Sequence, residues 1–209
     1  MFELLQTIDS EELMIFLHPH YGVGNEHYHD TGHALFLALG FPFETTVAVS
    51  RLILSGKLDQ IPNLKLLVAH AGAALPSLIG RLDSCVEHDT LLCNKLEHLP
   101  SHYFKKFYYD AISYSDVSLR GLIEHLNDHP TDNQYQKHKD GVNIGTDRIM
   151  FGTDNPFFPP LDLGPENDCT KVKWPSTVQV QETIQNTLND TDGDKLLYKN
   201  AAKILNINL

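Results

Sequence analysis

The segment Leu64–Gly72, LKLLVAHAG, carries an apolar run that stops at a histidine and passes into small residues. Apart from Lys65 the run does not alternate between apolar and polar, and it is too short for a helix. It therefore reads as a strand, Leu64–Ala69, buried on both faces as in a parallel sheet. Three other segments share the design. LMIFLHPHYG sets a burst, Leu13–Leu17, before His18-Pro19. FYYDAIS supplies a strand over Phe107–Ile112 that contains Asp110, and IMFGTDNPFF one over Ile149–Gly152 that leads to Asp154. Helical stretches separate them: Glu44–Gly56, a helix opening near Pro76, and Leu119–Asn127. Another short amphipathic helix precedes the first strand over residues 2–10, and Pro175–Leu188 and Asp194–Leu205 close the chain. Glu44, Thr45 and Thr46 at one end of the first crossover helix and Gly56 at the other suit the dipole and the caps. Val23–Gly40 reads as a long loop, and 128–148 as a polar surface insertion without periodicity. Strands alternating with helices predict an α/β fold with a parallel sheet and helical crossovers.

Composition narrows the function classes. The 209 residues hold 16 Lys+Arg against 27 Asp+Glu, a net charge of -11 that disfavours nucleic acid and anionic membrane as partners. Hydrophobic residues at 42% and charged ones at 21% are a globular balance, and one domain spanning 1–209 is expected. Cys85, Cys93 and Cys169 are odd in number and include no CxxC, which excludes a disulfide framework and fits a reducing compartment. The acidic opening MFELLQTIDSEEL is the reverse of a signal or transit peptide, and no apolar run approaches bilayer length, so a cytoplasmic location is expected. Histidine is in surplus: of 12, five (His18, His20, His27, His29, His33) fall within sixteen positions. Such a cluster is either a solvated loop or a site that uses imidazole as ligand or proton carrier.

Each strand ends in a residue able to do chemistry: His18, His70, Asp110 and Asp154. In parallel α/β folds the site lies at that edge. His18 and His70 are either ligands or catalytic groups, or strand-end imidazoles satisfied by backbone. Asp154 is either a carboxylate balanced by a cation or donor, or the start of an Asx turn into Asn155-Pro156. Arg81, on the helix after His70, can fork onto a substrate carboxylate or lie solvated near Asp83. Two imidazoles and a carboxylate meet the ligand count of a catalytic zinc, although their separation in sequence proves nothing.

HPHYG, FPFETTVAVSRLILSGKLDQIPNLKLLVAHAG, LPSLIGRLDS, FYYDA, FGTDNPFF and the closing NAAKILNI occur in one order. Together they resemble the C-terminal half of the metal-dependent, amidohydrolase-related decarboxylases. That family includes aminocarboxymuconate-semialdehyde decarboxylase, the resorcylate decarboxylases and the fungal uracil-5-carboxylate (isoorotate) decarboxylase, and HPHYG leans toward the last. The resemblance implies a partial TIM (β/α)8 barrel, strands five to eight, around a Zn2+ ion. The activity it implies is a carboxy-lyase that removes CO2 from an unsaturated or aromatic carboxylate without redox chemistry. His18 then matches a metal ligand, His70 the catalytic histidine, and Asp154 an aspartate that binds metal or delivers a proton. Arg81 matches an arginine presented to a neighbouring subunit's substrate, and Phe157 lies beside the substrate ring.

One family feature is missing. The His-x-His pair that supplies two ligands has no counterpart before His18, so the chain is expected to begin inside the helix preceding strand five. A half barrel exposes strand edges, and the expected partner is a complementary half or a second copy of the chain. Two other functions follow from the same residues: an inert half barrel, or a related metal-dependent amidohydrolase.

Overall fold

The computed structural model of the protein describes residues 2–127, 144–160 and 174–208. The chain divides into two units, Met1–Tyr109 and Asp110–Leu209.

The first unit opens with α1 (Phe2–Ser10) and β1 (Met14–Leu17). It continues with α2 (Phe41–Leu54), β2 (Lys65–Val68), α3 (Leu75–Glu87), α4 (Thr90–Cys93) and α5 (Pro100–Lys106), and it reaches the start of β3 (Tyr108–Asp110). β1 lies parallel to β2, with Met14 opposite Lys65 and Leu17 opposite Val68. β2 lies parallel to β3, with Leu67 opposite Tyr108 and Val68 opposite Tyr109. Parallel neighbours need helical crossovers, and α2, α3 and α5 supply them. Val49 and Ile53 of α2, Leu75 and Ile79 of α3, and Tyr103 and Phe104 of α5 are all buried with Leu66 and Val68 of the sheet. Removal of this apolar surface from water holds the unit together. Among the described residues β1 is paired with β2 alone, and Phe16 on it is 53% exposed.

Several expected boundaries shift by a few residues. The long loop after β1 is partly helical: a π-helical turn over Phe36–Gly40 runs directly into α2, whose first turn holds Pro42. Pro lacks the N–H that a first turn leaves unpaired, so it is accepted there. Counted as one, Phe36–Leu54 is long and apolar enough to cross a membrane, contrary to the reading of short apolar runs. Thr45, Thr46, Val49 and Ile53 nevertheless face the core of the unit. α4 and α5 were not expected. Asp89 caps α4 by accepting from the Leu91 and Leu92 N–H groups at 2.9 and 3.1 Å.

The second unit contains α6 (Asp116–Asn127), β4 (Ile149–Met150), α7 (Pro175–Thr187), α8 (Asp190–Asp194) and α9 (Asn200–Ile204). A π-helical turn, Lys195–Lys199, joins α8 to α9. Leu119, Leu122, Ile123, Val180 and Leu196 are buried, as are Ile149 and Met150 of β4. The buried Asn200 side chain donates to the carbonyls of Thr146 and Ile149 at 2.6 and 2.7 Å, so the NAAKILNI segment anchors the entry to β4. The Lys195 ammonium lies 2.8 Å from Asp147 and 3.1 Å from Asp192. The expected insertion at 128–148 falls largely outside the described residues. Its end, Ile144–Arg148, is a 3-10 turn with Thr146 buried.

Candidate active site

His18 and His70 meet in the first unit because β1 and β2 run parallel and in register. Each imidazole leaves the C-terminal end of its strand, and the ring centroids are 5.1 Å apart. The His18 side chain is exposed, and its Nδ1 lies 2.8 Å from the Pro19 carbonyl oxygen. A carbonyl cannot donate, so Nδ1 is the donor here, and in the neutral imidazole this tautomer leaves the Nε2 lone pair for a metal. The backbone contact uses Nδ1 alone, so the two readings of His18 offered by the sequence do not exclude each other.

The turn that follows β1 is tied down by Glu44. Its Oε2 accepts from the backbone N–H groups of His20, Tyr21 and Gly22 at 3.0, 3.1 and 2.7 Å. Partial burial pushes the Glu44 pKa up, but these three bonds outweigh it and leave the carboxyl below its ordinary value. Around His70 the backbone is strained: His70, Ala71 and Ala73 have φ of 57°, 52° and 58°. Each is an L-residue in the left-handed region, a placement that persists only where the surroundings enforce it. Gly72, at φ 80°, completes the turn; a Cβ there would lie 2.9 Å from the Tyr109 ring.

Asp154 belongs to the second unit, half-buried, in the loop after β4. An Asx turn is closed to it, since the residue two positions on is Pro156, which has no N–H. Instead its Oδ2 accepts from the Tyr114 hydroxyl at 2.6 Å. Burial, then the bond to Asp154, raise the Tyr114 phenol well above its ordinary range, so it remains a donor. The Tyr114 ring packs edge-on to Phe158 at 5.0 Å. Phe157 is 44% exposed, and its N–H donates to the Asp154 carbonyl at 2.7 Å. Asp110, also in this unit, is buried, and its Oδ1 accepts from the Ile112 N–H at 3.1 Å within its own turn.

Arg81 is exposed on α3. Asp83, its expected neighbour, accepts instead from the Ser101 N–H at 2.9 Å. Cys85 and Cys93 are free thiols, and Cys169 lies outside the described residues. Sequence reasoning did not find Tyr114: its partner is forty positions away, and only the folded loop brings them together.

No family model matches the chain. It is 25% identical over 158 residues to the 2-amino-3-carboxymuconate-6-semialdehyde decarboxylase of Dictyostelium discoideum, which covers 75% of this chain and 38% of that protein. With the gamma-resorcylate decarboxylase of Polaromonas sp. it shares 26% identity over 211 residues, 97% of this chain and 53% of that one. The IDCase of Metarhizium anisopliae, solved in apo form, superposes with a TM-score of 0.79 at 32% identity, over 99% of this chain and 52% of the other. A dihydroxybenzoic acid decarboxylase from Polaromonas sp., solved with bound manganese and 2-nitroresorcinol, superposes with a TM-score of 0.70 over 100% of this chain and 54% of its own. At 22% identity that last likeness shows the fold alone. The chain spans about half the length of these proteins. The expected α/β fold with a parallel sheet holds, matching TIM-barrel-like decarboxylases over that half.

Proposed function

We propose that this chain, whose homologues are decarboxylases of the amidohydrolase superfamily, supplies the C-terminal half of a metal-dependent carboxy-lyase. Its substrate would be an unsaturated or aromatic carboxylate, with isoorotate as the first candidate. The observation that carries this reading is the His18–His70 pair at the C-terminal edge of parallel strands, with His18 Nδ1 engaged and Nε2 available.

The donors proposed for the metal, each taken within its own unit, are of the kinds a divalent cation accepts. His18 offers one imidazole nitrogen, and Asp154 keeps Oδ1 for a ligand while Tyr114 occupies Oδ2. Zn2+ is the proposed ion; manganese is the ion bound in the Polaromonas neighbour. When bound, such an ion would polarise and orient the carboxylate and an adjacent ring oxygen. Loss of CO2 from an sp2 carbon leaves a poorly stabilised carbanion, so a proton must reach that carbon first. Asp154, which would bind the ion when ionised, is assigned that delivery in its protonated form. Its proton passes to the ring carbon, the bond to the carboxylate then breaks with its electron pair returning to the ring, and CO2 leaves. His70 would set that acid's protonation or polarise a ring oxygen. Phe157 would flank the ring, and Arg81, exposed and not engaged by Asp83, would present its guanidinium to a neighbouring subunit's substrate. The open edge of β1 and the exposed Phe16 suit pairing with a complementary half or a second copy. The cytoplasm is the proposed location.

The test is CO2 release from isoorotate and from γ-resorcylate with Zn2+ or Mn2+ added. The chain is assayed alone and co-expressed with the N-terminal half of a homologous decarboxylase. The reading expects release that is lost in His18→Ala and Asp154→Asn. No release and no bound metal in either setting would overturn it in favour of an inert half barrel.

A further inference from the structure

A second set of metal-ligating groups lies in the first unit, remote in sequence from His18 and His70. Asp59 sits in the 3-10 turn Leu58–Gln60 that precedes β2, whereas His70 follows that strand. Glu97 and His98 precede α5. One carboxylate oxygen of Asp59, one of Glu97 and one ring nitrogen of His98 all lie within 4.8 Å of one another. A cation placed among them would be met by two oxygens and a nitrogen, the mixed set that borderline divalent ions accept.

The cluster is built rather than incidental. Tyr103, 1% exposed, donates its hydroxyl to both Asp59 oxygens, at 2.8 and 2.9 Å. The same hydroxyl accepts from the His98 N–H at 3.2 Å. One buried phenol therefore fixes the Asp59 carboxylate and the His98 backbone, as groups behind metal ligands do. The His98 ring is stacked on His102, with centroids 3.8 Å apart and planes 22° from parallel. The Nε2 of His102 is buried and has no hydrogen-bond partner among the described residues. A buried ring nitrogen without a partner, on a ring stacked against one of the three donors, is a polar atom that the packing of this segment alone does not satisfy.

We propose that Asp59, Glu97 and His98 form a structural site for a borderline divalent cation of the zinc class, held in place by Tyr103 and His102. Glu97 and His98 are exposed, so solvent and the ion reach the site directly. The bound ion would clamp the turn before β2 to the segment before α5. Because the fold alone brings these groups together, binding would stabilise the folded state. This site does not depend on the decarboxylase reading.

The experiment is a Zn2+ titration of the chelator-treated chain by calorimetry, with thermal unfolding followed by circular dichroism. Wild type, His18→Ala, Glu97→Gln and His98→Ala are compared, and the last two change exposed side chains. The expected result is one zinc equivalent and a zinc-dependent rise in Tm that persist in His18→Ala. In His98→Ala affinity should fall about tenfold or more, with a smaller loss in Glu97→Gln, while both metal-free variants keep the wild-type spectrum. Unchanged affinity in Glu97→Gln and His98→Ala overturns the proposal. So does a titration in which His18→Ala removes all zinc binding, or one in which the wild type binds none.

Discussion

The carboxylate of Glu44 closes the turn that carries His18 out of β1, through three backbone N–H groups on one oxygen. Glu44→Gln replaces charge-assisted bonds by neutral ones, and with the solvent access of this turn the expected loss is about 1 kcal/mol. The folded pKa lies below the ordinary 4.5, so the unfolded chain binds more protons as the pH falls past that value. The Glu44 contribution is therefore whole above pH 4.5 and disappears as the pH drops through the lowered value. Urea midpoints of wild type and Glu44→Gln, compared at neutral pH and below this window, check it: the difference should shrink in acid. Tyr114→Phe removes the hydroxyl that orients Asp154. Metal affinity should fall about tenfold, as for other groups behind a ligand, which metal titration of the assembled enzyme would measure. At this scale the strand-end residues His18, His70, Asp110 and Asp154 were legible, because an apolar run that stops at a polar residue is a local signal. Tyr114 and the three partners of Glu44 were not, since their meaning is a contact across tens of residues.

The strands and main crossover helices follow from pattern, and the departures have physical causes. α5 has seven residues and reads polar except for Tyr103 and Phe104, too short to show a helical period. The π-helical turns at Phe36–Gly40 and Lys195–Lys199 leave no mark in sequence, because each widens a helix without breaking it. The tight passage from β2 to α3 is sensitive to a single methyl group. Gly72→Ala would place a Cβ 2.9 Å from the Tyr109 ring at a φ of 80°, where L-residues are strained. The expected destabilisation is roughly 1–3 kcal/mol, measurable as a lower urea midpoint with an unchanged slope. A wild-type midpoint would mean that Tyr109 does not pack where the structure puts it.

For the molecule as a whole, the resemblance of ordered motifs to one decarboxylase family pointed to half a barrel, and homologues matched over about half their length agree. What the residues could not reveal is the distance between strand-end groups, since sequence separation carries none. The proposed ligands His18 and Asp154 are fewer than a catalytic zinc commonly has. Supplying the N-terminal half of a homologue should therefore raise metal affinity sharply, because binding grows with ligand count and preorganisation. Competition with a chelator of known strength would register the change, and equal affinity with and without the added half would count against His18 and Asp154 as ligands. The most direct measurement is an anomalous-scattering map of that complex crystallised with Mn2+. The account predicts a peak within about 2.0–2.3 Å of His18 Nε2 and an Asp154 carboxylate oxygen. An ion bound in the complex but away from both residues would contradict it.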